Sequence, residues 1–208
     1  MIGLLKKDIY ALLRYARIFP VFILLYAGMS LFMDESGTFI TSTIIMICAT
    51  MSVSAFAYDD MAKWNTYALS MPIRRTDLVY SKYLLAALLL SVSLIVSGFM
   101  QWLIYTWNGA FQFQEFILSI SVLSGMALLF VAFLFPLIFK FGVENSRIMI
   151  LVLLAVPSAA VIAISKLSLP WLNIERLMEW LNLLPLLGLG CFLCSVLLSA
   201  HIVFKQEF

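Results

Sequence analysis

Charged residues are scarce in this 208-residue sequence and make up only 12% of it. That fraction is about half of the ~25% that is usual in a soluble domain. Hydrophobic residues make up 64%, which is more than a soluble fold of this length can hide beneath a polar surface. The composition therefore excludes a soluble domain. It favours a helical membrane protein, because six spans of about 20 residues need about 120 residues.

Residues that carry out chemistry are also few. The sequence has one histidine and three cysteines, and all three cysteines lie in apolar runs, which excludes the disulfide framework of a secreted domain. It contains no Gly-rich phosphate loop, no His-Glu-x-x-His and no Gly-x-Ser-x-Gly motif. We therefore predict no catalytic residue, no metal site and no cofactor bound by this chain. The net charge of +2 is too small to indicate a nucleic-acid partner.

Six apolar runs are candidates for membrane spans. A helix needs about 20 apolar residues to cross a ~30 Å hydrocarbon core. The predicted spans are 18–33, 38–58, 83–105, 116–139, 148–165 and 182–204. None of them contains Asp, Glu, Lys or Arg, which argues against a proton-coupled transporter or a charge-lined channel. We therefore predict an all-α polytopic membrane protein with six transmembrane helices in a single domain, 1–208.

Two further segments are amphipathic. In residues 1–17, apolar side chains share one side of the helical wheel and Lys7 and Arg14 lie opposite. This pattern predicts a helix in the membrane interface with its basic residues at the headgroups. Residues 166–181 carry an apolar stripe beside polar side chains, which predicts a second interfacial segment ahead of the last span.

Lysine and arginine are unequally divided between the two sides of the predicted bundle. An even number of spans places both termini on one side, and of the 13 basic residues only Lys166 and Arg176 lie on the other. The excess of basic residues predicts cytoplasmic termini. On this topology, segment 59–82 is cytoplasmic and segment 166–181 is external.

The cytoplasmic segment 59–82 is the longest polar stretch between two spans. Trp64 and Tyr67 lie at helical spacing on one face, and Pro72 ends that helix and suits the start of a new turn. The pattern predicts a helix, an elbow and a second helix. Two interpretations follow. The segment is either a basic loop with aromatic anchors in the interface, or a rigid knob on which a soluble partner pushes.

The run from Trp64 to Tyr83 reads WNTYALSMPIRRTDLVYSKY. It resembles the signature of ABC-2 type permeases, the small six-span membrane subunits of bacterial ATP-binding-cassette exporters. In that signature an acidic residue precedes a Trp, an aromatic residue follows, and then come Ser-x-Pro, a basic residue, a hydrophobic pair and Lys-Tyr. A second run, from Phe135 to Arg147, resembles the family's Pro…Phe-Gly-x-Glu loop between the fourth and fifth spans. The resemblance extends over the whole chain.

The resemblance implies a permease subunit of the bacterial cell membrane that pairs with a second copy or a paralogue. It also implies two copies of a cytoplasmic ATPase, which would hold ATP and Mg²⁺, and an exported peptide, lipid or drug-like substrate. The residues implied to couple permease and ATPase are Asp60, Trp64, Tyr67, Ser70, Pro72, Arg74, Arg75 and Lys82. The implied second cytoplasmic loop contains Lys140, Gly142, Glu144 and Arg147. The alternative function is a membrane sensor or immunity subunit that binds a toxin or signals to a partner.

Polar residues inside two spans form a further pattern. Thr50 and Ser54 lie near one face of the second span, and Ser97 and Gln101 are one helical turn apart in the third. These side chains are candidates for a substrate path. The other interpretation is that they form hydrogen bonds between helices, worth ~0.6 kcal/mol each on average in membranes.

Small residues repeat in the fifth span, at Ala155, Ala159 and Ala163. Small residues at this spacing permit close approach of two helix backbones. The resemblance places the fifth span near a dimer axis, so these three alanines are candidate dimer contacts.

Overall fold

The computed structural model describes residues 2–15, 38–64, 75–107, 113–166 and 174–205, together with Val21 and Gly28. These residues are helical apart from a turn at 62–63. The helices are α1 (Ile2–Tyr15), α2 (Thr38–Met61), α3 (Arg75–Trp107), α4 (Phe113–Lys166) and α5 (Ile174–Lys205). The prediction of an all-α fold is confirmed over this part of the chain.

Four helices contain a segment that is long and apolar enough to cross a membrane. These segments are Ile40–Met61, Thr76–Thr106, Phe113–Val143 and Leu183–Lys205. They correspond to the second, third, fourth and sixth predicted spans. The sequence-based expectation of a helical membrane protein is therefore confirmed.

The first and fifth predicted spans are described only in part. Span 18–33 lies outside the described residues except for Val21 and Gly28. Span 148–165 is helical and lies in the second half of α4, but its side chains other than that of Ala155 are not among those described.

Helix α3 lies at the centre of the described bundle and contacts the other four helices. Its Tyr83 is buried beside Phe56 of α2 and Phe135 of α4. The Phe135 ring meets the rings of Phe56 and Tyr83 edge-on, with centroid separations of 4.9 Å in both pairs. This is one of the arrangements that aromatic rings prefer. Packing of this kind is what holds helices together in lipid, where apolar burial alone gives no preference for protein neighbours.

A hydroxyl cluster ties α3 to α5 in the same layer. The Tyr83 hydroxyl lies 2.5 Å from Ser195 Oγ and 2.7 Å from Ser199 Oγ. Ser195 in turn donates to the carbonyl of Ala132 in α4 at 2.6 Å. All three hydroxyl-bearing residues are buried, and each is hydrogen-bonded. The cluster therefore links α3, α4 and α5.

Helices α4 and α5 approach each other most closely at two glycines. A Cβ atom added at Gly125 would lie 2.7 Å from the backbone carbon of Leu184, and one added at Gly188 would lie 2.9 Å from the Gly125 carbonyl oxygen. Real Cβ atoms essentially never come that close to a neighbour. The glycines therefore allow the two backbones to touch, as small residues do in membrane helix pairs.

A single glycine stands where the sequence predicts a polar loop at 140–147. Helix α4 runs from Phe113 to Lys166, and Gly142 within it has non-helical angles of φ 79° and ψ 171°. This conformation is essentially restricted to glycine. The Ser146 hydroxyl donates to the Gly142 carbonyl at 2.5 Å, which stabilises the junction. The break between the fourth and fifth predicted spans is thus one non-helical residue, Gly142, with helix on both sides of it.

The helices also extend into the segments predicted to be separate from the spans. Helix α2 continues to Met61 and α3 begins at Arg75, so both ends of segment 59–82 are helical. Helix α5 runs without a break from Ile174 to Lys205. The segment predicted at 166–181 is thus continuous with the last span from Ile174 onward. These helices end where their backbone hydrogen bonding ends, which need not coincide with a change in hydropathy.

Candidate functional site

Four charged side chains from three helices form a closed ring of ion pairs. Lys7 and Asp8 belong to α1, Asp59 to α2 and Lys82 to α3. Lys7 Nζ lies 3.1 Å from Asp8 Oδ1 and 2.5 Å from Asp59 Oδ1. Lys82 Nζ lies 2.9 Å from Asp8 Oδ2 and 2.6 Å from Asp59 Oδ2. Each lysine contacts both carboxylates, so the charges alternate and cancel. We call these four residues the ion ring.

The ion ring is largely buried. Asp8 is 2% exposed, Lys82 7% and Asp59 8%, whereas the Lys7 side chain is 28% exposed. An unpaired charge in such surroundings costs several kcal/mol, and a buried pair is tolerated only when its remaining hydrogen-bonding positions are filled. Here all four carboxylate oxygens have a lysine partner. Removal of any one of the four charges would therefore leave an excess of the opposite charge buried in the ring.

Apolar and backbone groups hold Lys82 in place. Its Nζ also donates to the carbonyl of Ala55 at 3.3 Å and lies 5.4 Å from the centroid of the Phe56 ring. Next to it, Leu12, Ala55 and Leu85 form a small apolar cluster that joins α1, α2 and α3. The charged end of Lys82 is thus directed into the ion ring by its own helix and by α2.

Trp64 lies directly beside the ion ring. Its side chain is half-buried, and Lys7 Nζ lies 4.2 Å from its ring centroid, which is the geometry of a cation–π contact. A tight turn brings it there: the Ala62 amide donates to the Tyr58 carbonyl at 3.0 Å and the Lys63 amide donates to the Asp60 carbonyl at 3.1 Å. Lys63 has a positive φ of 49°, a left-handed conformation that ends the helical path of α2 just before Trp64.

Only three of the predicted coupling residues, Lys82, Trp64 and Asp60, have side chains that the structure describes. Lys82 belongs to the ion ring and Trp64 adjoins it, while Asp60 is exposed. Arg75 is the first residue of α3, and its side chain is not among those described. The remaining predicted positions, which lie outside the described residues, are Tyr67, Ser70, Pro72 and Arg74.

Sequence reasoning missed three of the four ring residues: Lys7, Asp8 and Asp59. The helical wheel predicts Lys7 at the lipid headgroups, and the structure adds that its ammonium group contacts two buried carboxylates. One signal was present in the sequence. Asp8 stands between Leu4 and Leu12 at intervals of four residues, and all three are buried. An acidic residue within the apolar stripe of a helix indicates a buried partner of opposite charge.

Gln101 forms a polar link inside the bundle. It is fully buried, it accepts a hydrogen bond from the Thr41 hydroxyl of α2 at 3.0 Å, and its Nε2 donates to Ser119 Oγ of α4 at 2.8 Å. Its amide therefore joins three helices. Ser97 is also buried, and its hydroxyl donates to the Leu94 carbonyl at 3.3 Å.

The other two candidates for a substrate path lie on α2. The Thr50 hydroxyl donates to the Ile47 carbonyl and the Ser54 hydroxyl to the Thr50 carbonyl. Thr50 lines a groove of about 720 Å³ between α2 and α4, and Ser54, Ser97 and Gln101 do not line it. The groove is mainly apolar, with Ser42 and Thr43 as its other hydroxyl-bearing residues. Of the four predicted residues, this groove is thus lined by Thr50 alone.

The remaining predicted residues lie along α4. Lys140 is exposed, and its Nζ lies 5.1 Å from the centroid of the Phe141 ring. Ala155 is exposed as well. The side chains of four others are not among those described: Glu144, Arg147, Ala159 and Ala163.

Comparison with known protein families identifies the chain. The family model described as ABC-2 family transporter protein matches residues 3–203. The chain belongs to the ABC-2 family of transporter proteins. The resemblance seen in the motifs around Trp64 and Gly142 is thereby confirmed. A comparison with curated proteins gives no match.

Membership of the ABC-2 family accounts for the main features of the fold. The chain is a transporter membrane subunit, which agrees with four helices that can cross a membrane. Proteins of this family are permeases of ABC transporters, so the family implies association with an ABC ATPase. The ion ring joins the two ends of segment 59–82, which contains Trp64.

Proposed function

We propose that this chain is the six-span permease subunit of a bacterial ABC exporter. Its termini are cytoplasmic, and it couples ATP hydrolysis on two ATPase subunits to the export of a peptide, lipid or drug-like substrate. ATP and Mg²⁺ are held by the ATPase. We name residues 59–82 the coupling segment. The observation that carries the proposal is the Asp59–Lys82 pair, which joins the two ends of this segment at 2.6 Å.

The two described ends of the coupling segment suit the transfer of force. The segment begins in α2 and ends in α3, and both helices continue into segments that can cross a membrane. Because Asp59 and Lys82 are paired, a push on the segment acts on both helices together. Closure of the ATPases would displace the segment, and α2 and α3 would carry that displacement into the membrane.

The proposal also includes a dimer contact and a substrate path. A second permease copy, or a paralogue, would pack along the stripe of Ala155, Ala159 and Ala163. For the substrate path, the groove between α2 and α4 supports Thr50. The hydrogen bonds of Gln101 favour the other interpretation, in which it holds three helices together.

The experiment that tests the proposal measures the ATPase activity of the partner in lipid, with and without the permease. Trp64→Ala and Arg75→Glu should leave the permease inserted at its normal level but abolish stimulation of the ATPase. Trp102→Ala is the matched control, because Trp102 is an exposed aromatic residue of α3 far along the helix from the coupling segment. If the Trp64 and Arg75 variants stimulate the ATPase as the native chain does, the coupling segment is a membrane anchor only.

A further inference from the structure

Helix α1 is bound to both ends of the coupling segment. Asp8 contacts Lys82 of α3, and Lys7 contacts Asp59 of α2. Lys7 also lies against the face of Trp64, the first aromatic residue of the family motif. The amino-terminal helix thus contacts the beginning and the end of the segment through two adjacent residues.

The ion ring is not needed merely to hold α1 against the bundle. Leu12 of α1 already packs on Ala55 and Leu85 in an apolar cluster joining the same three helices. Ion pairs in buried surroundings contribute little net stability relative to apolar packing, and their best-attested role is to specify one arrangement. The four ion pairs can form together only when α1 lies in one position relative to the two ends of the segment, so the ring specifies that position.

We propose that α1 is part of the coupling unit, with Lys7 and Asp8 acting as positioning residues that hold Trp64 and both ends of the coupling segment in one rigid arrangement. The role in coupling rests on the proposed function, whereas the positioning does not. Lys7 is the critical member, because it is the ring residue that joins Asp59 to Trp64. When the segment is pushed, α1 moves with it as one body.

The test uses three single variants of the full chain in lipid nanodiscs. Lys7→Met removes the ammonium group and keeps most of the aliphatic stem. Lys7→Arg keeps the charge, can donate to both carboxylates and can stack on Trp64. Lys6→Met is the matched control, because Lys6 is the adjacent exposed lysine of the same helix and lies near Tyr10 rather than in the ring.

The first measurement is hydrogen exchange of the amides of Ala62 and Lys63, whose hydrogen bonds form the turn that leads to Trp64. Lys7→Met should raise their exchange by about tenfold, which corresponds to a loss of about 1.4 kcal/mol of local stability. Lys7→Arg and Lys6→Met should leave it unchanged. Equal exchange in Lys7→Met and Lys6→Met would overturn the proposal.

Lys7→Met leaves two buried carboxylates with one lysine and could therefore misfold. A second variant keeps the proposal testable in that case. The double variant Lys7→Met with Asp59→Asn keeps the neutral Asp8–Lys82 pair and removes both of the contacts that Lys7 makes to α2 and Trp64. We expect faster exchange at Ala62 and Lys63 in this variant too. Native exchange rates in it would contradict the positioning role.

The second measurement is stimulation of the partner ATPase by the same variants. Lys7→Met should lose stimulation at least about tenfold, and Lys7→Arg should restore it. If exchange rises in Lys7→Met while stimulation stays native, α1 positions the segment without taking part in coupling, and the proposal fails. If the native chain itself gives no stimulation, the proposed function fails, and the exchange measurement still decides whether Lys7 positions the segment.

Discussion

Asp59 of α2 and Lys82 of α3 lie at opposite ends of the coupling segment, and their charged atoms are 2.6 Å apart. Both side chains are buried and both are also paired with α1. If the two ends move apart, α1 can stay with only one of them, and the charged residue at the other end loses its partners in buried surroundings, which costs several kcal/mol. The pair therefore joins α2 and α3 at the two ends of segment 59–82.

The first prediction concerns the energetic dependence within the ion ring. Lys82→Met leaves two buried carboxylates around Lys7, so we expect the free energy of unfolding to fall by about 3–5 kcal/mol. Thermal unfolding in detergent checks this. The control is Lys205→Met, because Lys205 is an exposed lysine at the end of α5, and its loss should change stability by less than about 0.5 kcal/mol.

The ring also predicts that the stability losses caused by substitutions at Asp59 and Lys82 are not additive. Asp59→Asn combined with Lys82→Met leaves the neutral Lys7–Asp8 pair, so the double variant should be more stable than the sum of the two single losses implies. A double-mutant cycle measures the coupling, which we expect to be about 1–3 kcal/mol. Additive losses would mean that the two residues do not interact.

The second prediction concerns the contact between α4 and α5. Gly125→Ala places a Cβ atom against the backbone of Leu184, so we expect a loss of about 1–3 kcal/mol from overpacking. Gly190→Ala is the control, because a Cβ atom there meets nothing within 4 Å and alanine is favoured in a helix interior. Comparable melting temperatures for the two variants would contradict the close contact.

The third prediction separates the two interpretations of Gln101. Gln101→Leu removes two hydrogen bonds. Because such bonds contribute ~0.6 kcal/mol each on average, we expect the free energy of unfolding to fall by about 1 kcal/mol. Thr41→Val removes one of the same bonds from the other helix and should cost about half as much. Both variants should export substrates in native proportions. A changed substrate preference in Gln101→Leu alone would place this side chain on the substrate path.

The fourth prediction is the topology. Only Lys166 and Arg176 of the 13 basic residues lie on the predicted outer side, so a reporter fused after Phe208 should be active only in the cytoplasm. A cysteine at Gly109 should react with an impermeant thiol reagent added from outside. Labelling at this position from the cytoplasmic side alone would refute the six-span arrangement.

The helices and their membrane character could be predicted from the sequence because both depend on local properties. Helices α2 and α3 contain runs such as 38–58 and 83–105 that are apolar over the thickness of a bilayer, and helix is the structure that satisfies every backbone group there. Helix ends were less predictable. Asp59 and Lys82 lie beyond those runs, but α2 and α3 include them, because a helix continues until its backbone hydrogen bonds end.

The motif around Trp64 identified the family, but not what Trp64 touches. The sequence shows an aromatic residue at helical spacing from Tyr67, which suits a docking face. In the structure the Trp64 ring lies against the Lys7 ammonium group, directly after the turn at Ala62 and Lys63. Such a contact joins residues far apart in the sequence, so no local pattern contains it.

The sequence by itself determined the all-α class, four helices that can cross a membrane and the family, since composition, hydropathy and a contiguous motif are properties of short stretches of chain. Only the tertiary structure decided that Lys7, Asp8, Asp59 and Lys82 form one ring. An ion pair requires that its charged atoms lie within about 4 Å of each other. Which charges come that close depends on how α1, α2 and α3 pack. The glycine contact between α4 and α5 has the same origin: the sequence contains Gly125 and Gly188, and helix packing brings them together.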